Sequence, residues 1–525
     1  MRLKRIILLL LCLVFVAAAL VSCKDDGTNS NQTNSTNNSA DESANTSEPE
    51  VPEYILPSIS DKYKGRTFTI LTSGVNATYH SEIIPVEGNE LHNETVAFPD
   101  RIDEAIQNRN KTILDEYGIT IKEKYFHDTG RHGNATLNYV RTACLNNDTE
   151  EFQAINVCLY DAGVLLLDNY LYDLNTLDNI KMSNPWWDQS VNENVSILGK
   201  QFFMVGDIGT GNKAATPVVL FNKTVADKLN LGNLYDMVAD GTWTVDKATE
   251  LCKTSQWAED LNNDTIINYE DNFCWGGQFD DMYSMFFGAG NKILTQNAQG
   301  LPELTFYSEK ASDSVDKILG LMKDPTIYVC ANDYFGVVQW PTELIRDAFI
   351  AGRGLFYSAS ISAAMEMSDM QDEFGILPVP KYDENQDEYH SLINTWVSNA
   401  FGIAVNADKE TAEFAAAVYD IMGYYSWKGL GTGYLATEYY EVVLKYQGLE
   451  GKEDALKVLD QIFAARGCEL GSVFKLGSST KGATINEILS DMISTNAVGQ
   501  LSSKYQTYED VIKQDLEKAL EFFNS

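Results

Sequence analysis

The sequence predicts an α/β protein of two lobes. Segments with strand patterning alternate with segments of helical patterning, and that alternation runs through the chain twice. The body from about Tyr54 to Ser525 is also too long for one ordinary core. With 44% hydrophobic and 11% aromatic residues, the chain can fill more than one.

Arg66 to Thr72 alternates like a strand and stops at Ser73-Gly74. Asp100 to Tyr117 predicts a helix, because Ile102, Ile106, Ile113 and Tyr117 recur near helical spacing and Gly118 stops it. Ile119 to Ile121 and Phe152 to Tyr160 follow as strands. The second block reads Gln201 to Val205 and Pro217 to Phe221 as strands, then Lys223 to Leu229 and Val245 to Lys253 as helices. Short strands are expected at Gly354 to Tyr357, Phe374 to Leu377 and Phe401 to Val405. The chain ends in helices, one of them expected to be capped by Thr507, with Ile512, Leu516, Leu520 and Phe523 on one face. Strands alternating with helices imply a parallel sheet with ligands at the carboxyl ends of its strands.

The N-terminus carries a different message. Arg2, Lys4 and Arg5 precede an apolar run from Ile6 to Leu20, which reads as a secretory signal. A permanent membrane span needs about 20 apolar residues, so this run is short for one. Leu20-Val21-Ser22-Cys23 resembles the lipobox of bacterial lipoproteins, in which the cysteine receives diacylglycerol and becomes the first residue. The resemblance implies removal of residues 1–22, lipidation of Cys23, and attachment to the extracellular face of the cell membrane. Lys24 to Glu53 is almost wholly Asn, Ser, Thr, Asp and Glu and cannot offset the entropy of ordering, so 23–60 is read as anchor and linker.

The formal charge of −36 argues against nucleic-acid binding, which depends on Lys and Arg displacing phosphate counterions. Beyond Cys12 and Cys23 the cysteines are Cys144, Cys158, Cys252, Cys274, Cys330 and Cys468, with no Cys-x-x-Cys. Six cysteines admit fifteen pairings, and sequence does not choose among them.

Several fragments, in order, resemble one known family. They are Tyr63-Lys64-Gly65-Arg66-Thr67-Phe68-Thr69-Ile70; Arg109-Asn110 leading to Tyr117-Gly118-Ile119; Pro185-Trp186-Trp187; and Val205-Gly206-Asp207. Phe221-Asn222-Lys223, Gly241-Thr242-Trp243-Thr244, Phe374 to Lys381 and Asp383 to Gln386 follow. Together these are similar to the extracellular solute-binding proteins of ABC importers, the family 1 or maltose-binding-like group. The resemblance implies a periplasmic-binding-protein-like (type II) fold with hinge crossings near Val205, Phe356 and Trp396, and extra C-terminal helices. It implies one lobe of 61–205 with 356–397 and another of 206–355 with 398–525. It further implies a monomer that captures a small-molecule solute, a sugar or oligosaccharide, and delivers it to a membrane permease without chemistry on the solute. A surface glycan-adhesion or sensing lipoprotein is the second reading, and a glycoside hydrolase the third.

Sugar-binding clefts combine aromatic faces with short polar side chains. Tyr160 and Asp161 follow the third strand, where a cleft should open. Gln278, Asp281 and Tyr283 occupy a stretch that resembles a ligand-contacting segment of the second lobe. Tyr357 and Ser358 lie at a strand end and Trp396 near a crossing. Trp186 and Trp187 read as core or inter-lobe anchors.

Enzymatic signals are weak. The histidines, His80, His92, His127, His132 and His390, show no zinc-ligand spacing, and no Gly-x-Ser-x-Gly is present. Ser472 to Lys475 and Ser478 to Lys481 each match Ser-x-x-Lys, a pattern frequent by chance. No cofactor is expected beyond a structural calcium ion. Asp260, Asn262, Asp264, Asn268 and Asp271 place oxygen side chains at EF-hand loop positions one, three, five, nine and twelve, with the Ile266 carbonyl at seven. Thr265 replaces the turn glycine of such loops, and Asp271 the terminal Glu.

Overall fold

The computed structural model describes residues 54, 56, 57, 59, 61–74, 82–85, 100–127, 134–148, 151–428 and 453–524. The signal segment, Cys23 and the linker to residue 53 lie outside them.

The strands in chain order are β1 (Thr67–Gly74), β2 (Thr120–His127), β3 (Ala154–Cys158), β4 (Phe203–Met204), β5 (Pro217–Asn222), β6 (Phe273–Gly277) and β7 (Leu294–Gln296). They continue as β8 (Pro302–Leu304), β9 (Tyr328–Cys330), β10 (Gly354–Ser360), β11 (Phe374–Leu377), β12 (Ser391–Leu392), β13 (Asn399–Gly402) and β14 (Arg466–Gly467). Two five-stranded mixed sheets result, ordered β2-β1-β3-β13-β4 and β11-β5-β10-β6-β9. In the first, β1 runs parallel to β2 and β3, while β13 is antiparallel to β3 and β4. In the second, β6 is parallel to β10 and β9, and β5 is antiparallel to β10 and β11. All five residues of β3 and of β6 are buried, as strands covered on both faces require.

The helix Asp100–Tyr117 has its expected bounds and ends at Gly118, whose φ of +69° suits a left-handed stop. Ile102, Ile106 and Ile113 lie on its buried face together with Arg109, which is fully buried. That guanidinium donates to the carbonyls of Glu82, Ile83 and Ile208 and to Ser426 Oγ, at 2.8 to 3.1 Å. One side chain thus ties the first lobe's helix to the strand exit and to the helix Lys409–Trp427. Trp186 and Trp187 are core anchors, both essentially inaccessible. Their indole N–H groups donate to Asp420 Oδ1 at 2.8 and 3.0 Å, and Asn184 Nδ2 donates to the same carboxylate.

The sheets divide the chain differently from the expected boundaries. A crossing does occur after β4, near Val205, and another between β12 and β13, near Trp396. No return occurs near Phe356: β10 and β11 both stay in the second sheet, held there by β5. Residues 356–397 therefore pack with the second lobe, whereas β13 and the helix Lys409–Trp427 complete the first. After 452 the helices Glu453–Ala464, Ile485–Thr495 and Leu501–Asn524 pack on the second lobe. Thr507 caps nothing, because the last helix begins six residues earlier and Thr507 Oγ1 donates to the Ser503 carbonyl within it. Its Ile512, Leu516 and Phe523 are buried as expected, and Leu520 is half-buried. Among the described residues no helix is long and apolar enough to cross a membrane.

Candidate functional site

β3 ends at Cys158 and the helix Leu159–Leu167 starts at once, which puts Tyr160 and Asp161 in its first turn. In the second lobe β6 ends at Gly277, and the helix Asp281–Gly288 carries Tyr283. Trp396 lies on the crossing between β12 and β13. These three aromatic side chains, one from each place, line a single cavity of about 370 Å³. The Tyr160 and Trp396 rings meet edge to face, with centroids 6.0 Å apart. Trp396 is 44% exposed.

The rest of the cavity wall was not read from the sequence. Apart from Ile293 it comes from the C-terminal segment and includes Ser472, Lys475, Lys481 and Asn486. Ser472 Oγ lies 3.4 Å from Tyr160 Oη and 3.1 Å from Thr395 Oγ1. Lys475 Nζ stands 5.3 Å from the centre of the Tyr160 ring. Burial lowers the Lys475 ammonium below its ordinary value, while Asp161 opposes the shift. Burial also pushes the Tyr283 hydroxyl well above its usual range. Ser472 and Lys475, the two ends of one Ser-x-x-Lys match, both belong to this wall. A second feature missed was the loop after β9, where Phe335, Val337 and Trp340 are 67%, 64% and 56% exposed. This loop leaves the sheet on the same edge as Gln278, and Asn332 Oδ1 accepts from Phe279 N at 2.7 Å to join the two corners.

The other predicted residues fall around the cavity rather than in its wall. Asp161 is 2% exposed, in the first helical turn where the macrodipole favours a carboxylate. Gln278 is half-buried, and its backbone N–H donates to Asp281 Oδ2 at 2.6 Å. Tyr328 Oη donates to the same oxygen at 3.3 Å, and burial raises the Asp281 carboxyl to about 8. Asp281 and Ser358 line a separate void of about 10 Å³, and Ser358 Oγ accepts from Trp275 Nε1 at 2.9 Å. Tyr357 is turned into the core against Phe349, with ring centroids 5.6 Å apart, because neighbouring residues of β10 face opposite ways.

The 260–271 loop gathers carboxylate oxygens of Asp260, Asp264 and Asp271 within 4.8 Å of one another. Asp260 accepts from the N–H groups of Asn263, Asp264 and Thr265 at 2.7 to 3.2 Å. Asn262 Oδ1 accepts from Asp264 N. Asn268 Nδ2 donates to the Ile266 carbonyl and to Asp264 Oδ2. Thr265 adopts φ +71°, the left-handed conformation that glycine ordinarily supplies. Asp271 is fully buried and accepts from Leu261 N and Asn268 N, so it closes the loop on itself. Three hard, anionic oxygen donors of this kind suit calcium better than a soft metal.

A comparison with family models finds no match, and neither does one with curated protein sequences. Solved structures do match. An ABC substrate-binding protein from Listeria monocytogenes, in complex with cycloalternan, has 13% identity and a TM-score of 0.51 over 88% of this chain and 100% of that one. A cyclo/maltodextrin-binding protein complexed with maltotetraose has 10% identity and a TM-score of 0.51, over 87% of this chain and 96% of that one. UgpB from Mycobacterium tuberculosis, in complex with glycerophosphocholine, has 14% identity and a TM-score of 0.50, over 80% of this chain and 96% of that one. These likenesses establish the fold, which is the two-lobed α/β fold of type II periplasmic binding proteins.

Proposed function

We propose that this chain is a lipid-anchored extracellular solute-binding protein that captures a carbohydrate between its lobes and passes it to the permease of an ABC importer. The observation that carries the reading is the cavity at which Tyr160, Trp396 and Tyr283 converge from the first lobe, the crossing and the second lobe. Aromatic faces that cover CH surfaces, beside hydroxyl, amide and ammonium donors, are what a sugar ring requires. Two of the structures with the same fold hold saccharides and one holds glycerophosphocholine, so the fold itself admits more than one solute chemistry. Ser472 and Lys475 serve here as polar donors to the solute, and the chain does no chemistry on it. Cys23 carries the lipid, and the protein works as a monomer. In the 260–271 loop Asp260, Asp264 and Asp271 hold a structural calcium ion, supported by the Asn262 and Asn268 side chains and the Ile266 carbonyl.

Thermal-shift and calorimetric titration against mono- and oligosaccharides test the central claim. A saturable saccharide response that Tyr160→Ala abolishes is expected. Failure of every saccharide, with a response to a non-carbohydrate solute instead, would overturn the carbohydrate assignment. Mass spectrometry of the native chain reads the anchor directly, since an unlipidated Cys23 in membrane-associated protein contradicts it.

A further inference from the structure

Six cysteines outside the signal and lipobox leave fifteen pairings open, and packing singles out one. Cys252 lies in the helix Val245–Ser255 and Cys274 in β6, both buried, at 2% and 0% exposure. Cys274 Sγ donates to the Cys252 carbonyl at 3.2 Å, and Ser255 Oγ lies 3.4 Å from the same sulfur. Cys144, Cys158, Cys330 and Cys468 are buried in other elements. Between Cys252 and Cys274 runs the whole acidic loop, whose ends are already paired by Glu259 N to Asn272 O at 3.0 Å and the reciprocal bond at 3.2 Å.

We propose that Cys252 and Cys274 form an intramolecular disulfide that clamps the base of the 260–271 loop. The biological occurrence of the bond rests on the export reading above; the pairing itself rests on the geometry. The Cys274 sulfur already touches the Cys252 backbone, so side-chain rotation can bring the two sulfurs together. The pair is also chemically asymmetric. Its hydrogen bond from Cys252 brings the Cys274 thiol down to about 7, while burial pushes Cys252 well up. Both thiols are closed to reagents in the folded chain, so the exchange takes place while the chain refolds, with Cys274 taken as the first attacking thiolate. It attacks one sulfur of a small disulfide oxidant such as oxidised glutathione and expels one glutathione thiolate. Cys252 then displaces the second glutathione from the mixed disulfide. The two cysteine protons end on the two expelled thiolates, so one disulfide is consumed, one is made, and two molecules of reduced glutathione leave.

The test refolds the reduced full chain in a glutathione redox buffer, unfolds it with an alkylating reagent present, and maps the unreduced digest by mass spectrometry. A peptide joining Cys252 to Cys274, and loss of alkylation at both, are expected. In Cys252→Ala, and independently in Cys274→Ala, the linked peptide disappears and the remaining partner becomes alkylated. Full alkylation of both residues in the wild type would overturn the pairing, as would a linked peptide joining either one to another cysteine. The same map on chain produced by export separates the two ideas: a linked peptide only after refolding in the redox buffer would overturn the bond's occurrence in the cell and leave the geometric pairing standing.

Discussion

Replacing Asp281 by Asn should flatten the pH dependence of stability contributed by the second lobe. Burial raises the Asp281 carboxyl from 3.8 to about 8, so the folded chain keeps it protonated at neutral pH. In the unfolded chain it ionises near its ordinary value. As pH rises between these limits only the unfolded state loses the proton, and the folded state loses stability at about 1.4 kcal/mol per pH unit. From about pH 5 to about pH 7 the loss is roughly 3 kcal/mol. Asn is neutral throughout, and its side-chain oxygen can still accept from the Gln278 N–H and the Tyr328 hydroxyl that now meet Asp281 Oδ2. Glu469, raised to about 7 by burial, titrates in both proteins and cancels from their difference. Urea unfolding of wild type and Asp281→Asn across this range measures that difference. It should grow with pH in favour of Asn. Parallel pH profiles would refute the reasoning, because they would mean that Asp281 ionises alike in both states.

Asp420→Ala leaves the indoles of Trp186 and Trp187 and the amide of Asn184 without their acceptor. At about 1–3 kcal/mol per orphaned donor, urea unfolding should show a loss of about 3–9 kcal/mol, with Asp420→Asn losing less. Trp396→Ala, at a half-exposed position, should leave melting nearly unchanged while calorimetry shows saccharide affinity reduced about tenfold or more. Calcium at about 100 times its dissociation constant should add roughly 2.7 kcal/mol to stability, read as a higher Tm that chelator reverses. Asp260 and Asp264 replaced together by Asn should lose most of that response, and magnesium should substitute poorly. Small-angle scattering should show a smaller radius of gyration when the saccharide is bound, and an unchanged radius with a tight ligand would count against lobe closure.

The parts of this molecule legible in sequence are those fixed by near neighbours. The Ile102, Ile106 and Ile113 spacing and the Gly118 stop define a helix without reference to anything distant. Asx-rich spacing likewise announced the 260–271 turn. Sheet membership is another matter. Phe374 to Leu377 looks the same whether it pairs with β5 or with a first-lobe strand, and only long-range pairing to residues 219–222 decides it. Thr507 looked like a cap because its side chain suits one, but the helix had already been started by Leu501, whose burial no local pattern announces. Of the cavity's aromatic residues, Tyr160 was legible from a strand end, Trp396 from a crossing, and Tyr283 only from the resemblance of its stretch to a ligand-contacting segment. Lys475, Lys481 and Asn486 reach it only because the C-terminal helices fold back across the lobes. Arg109 belonged to a recognisable fragment, yet its role as a buried tie comes from carbonyls that no spacing encodes.

The order of strands in the sheets also bears on when this chain can fold. β13 lies between β3 and β4 in the first sheet, yet it is synthesised after every strand of the second. Until then β4 has no neighbour and the open edge of β3 has no partner. Contacts this distant in sequence form late and slowly, since the loop between them must first be closed. A nascent chain would thus carry two unfinished sheets through most of its synthesis. On the export reading proposed above, such delay is useful: it prolongs the interval in which the translocation machinery can engage the chain. The same interval exposes unpaired strand edges, so a holding chaperone is a natural companion of this topology.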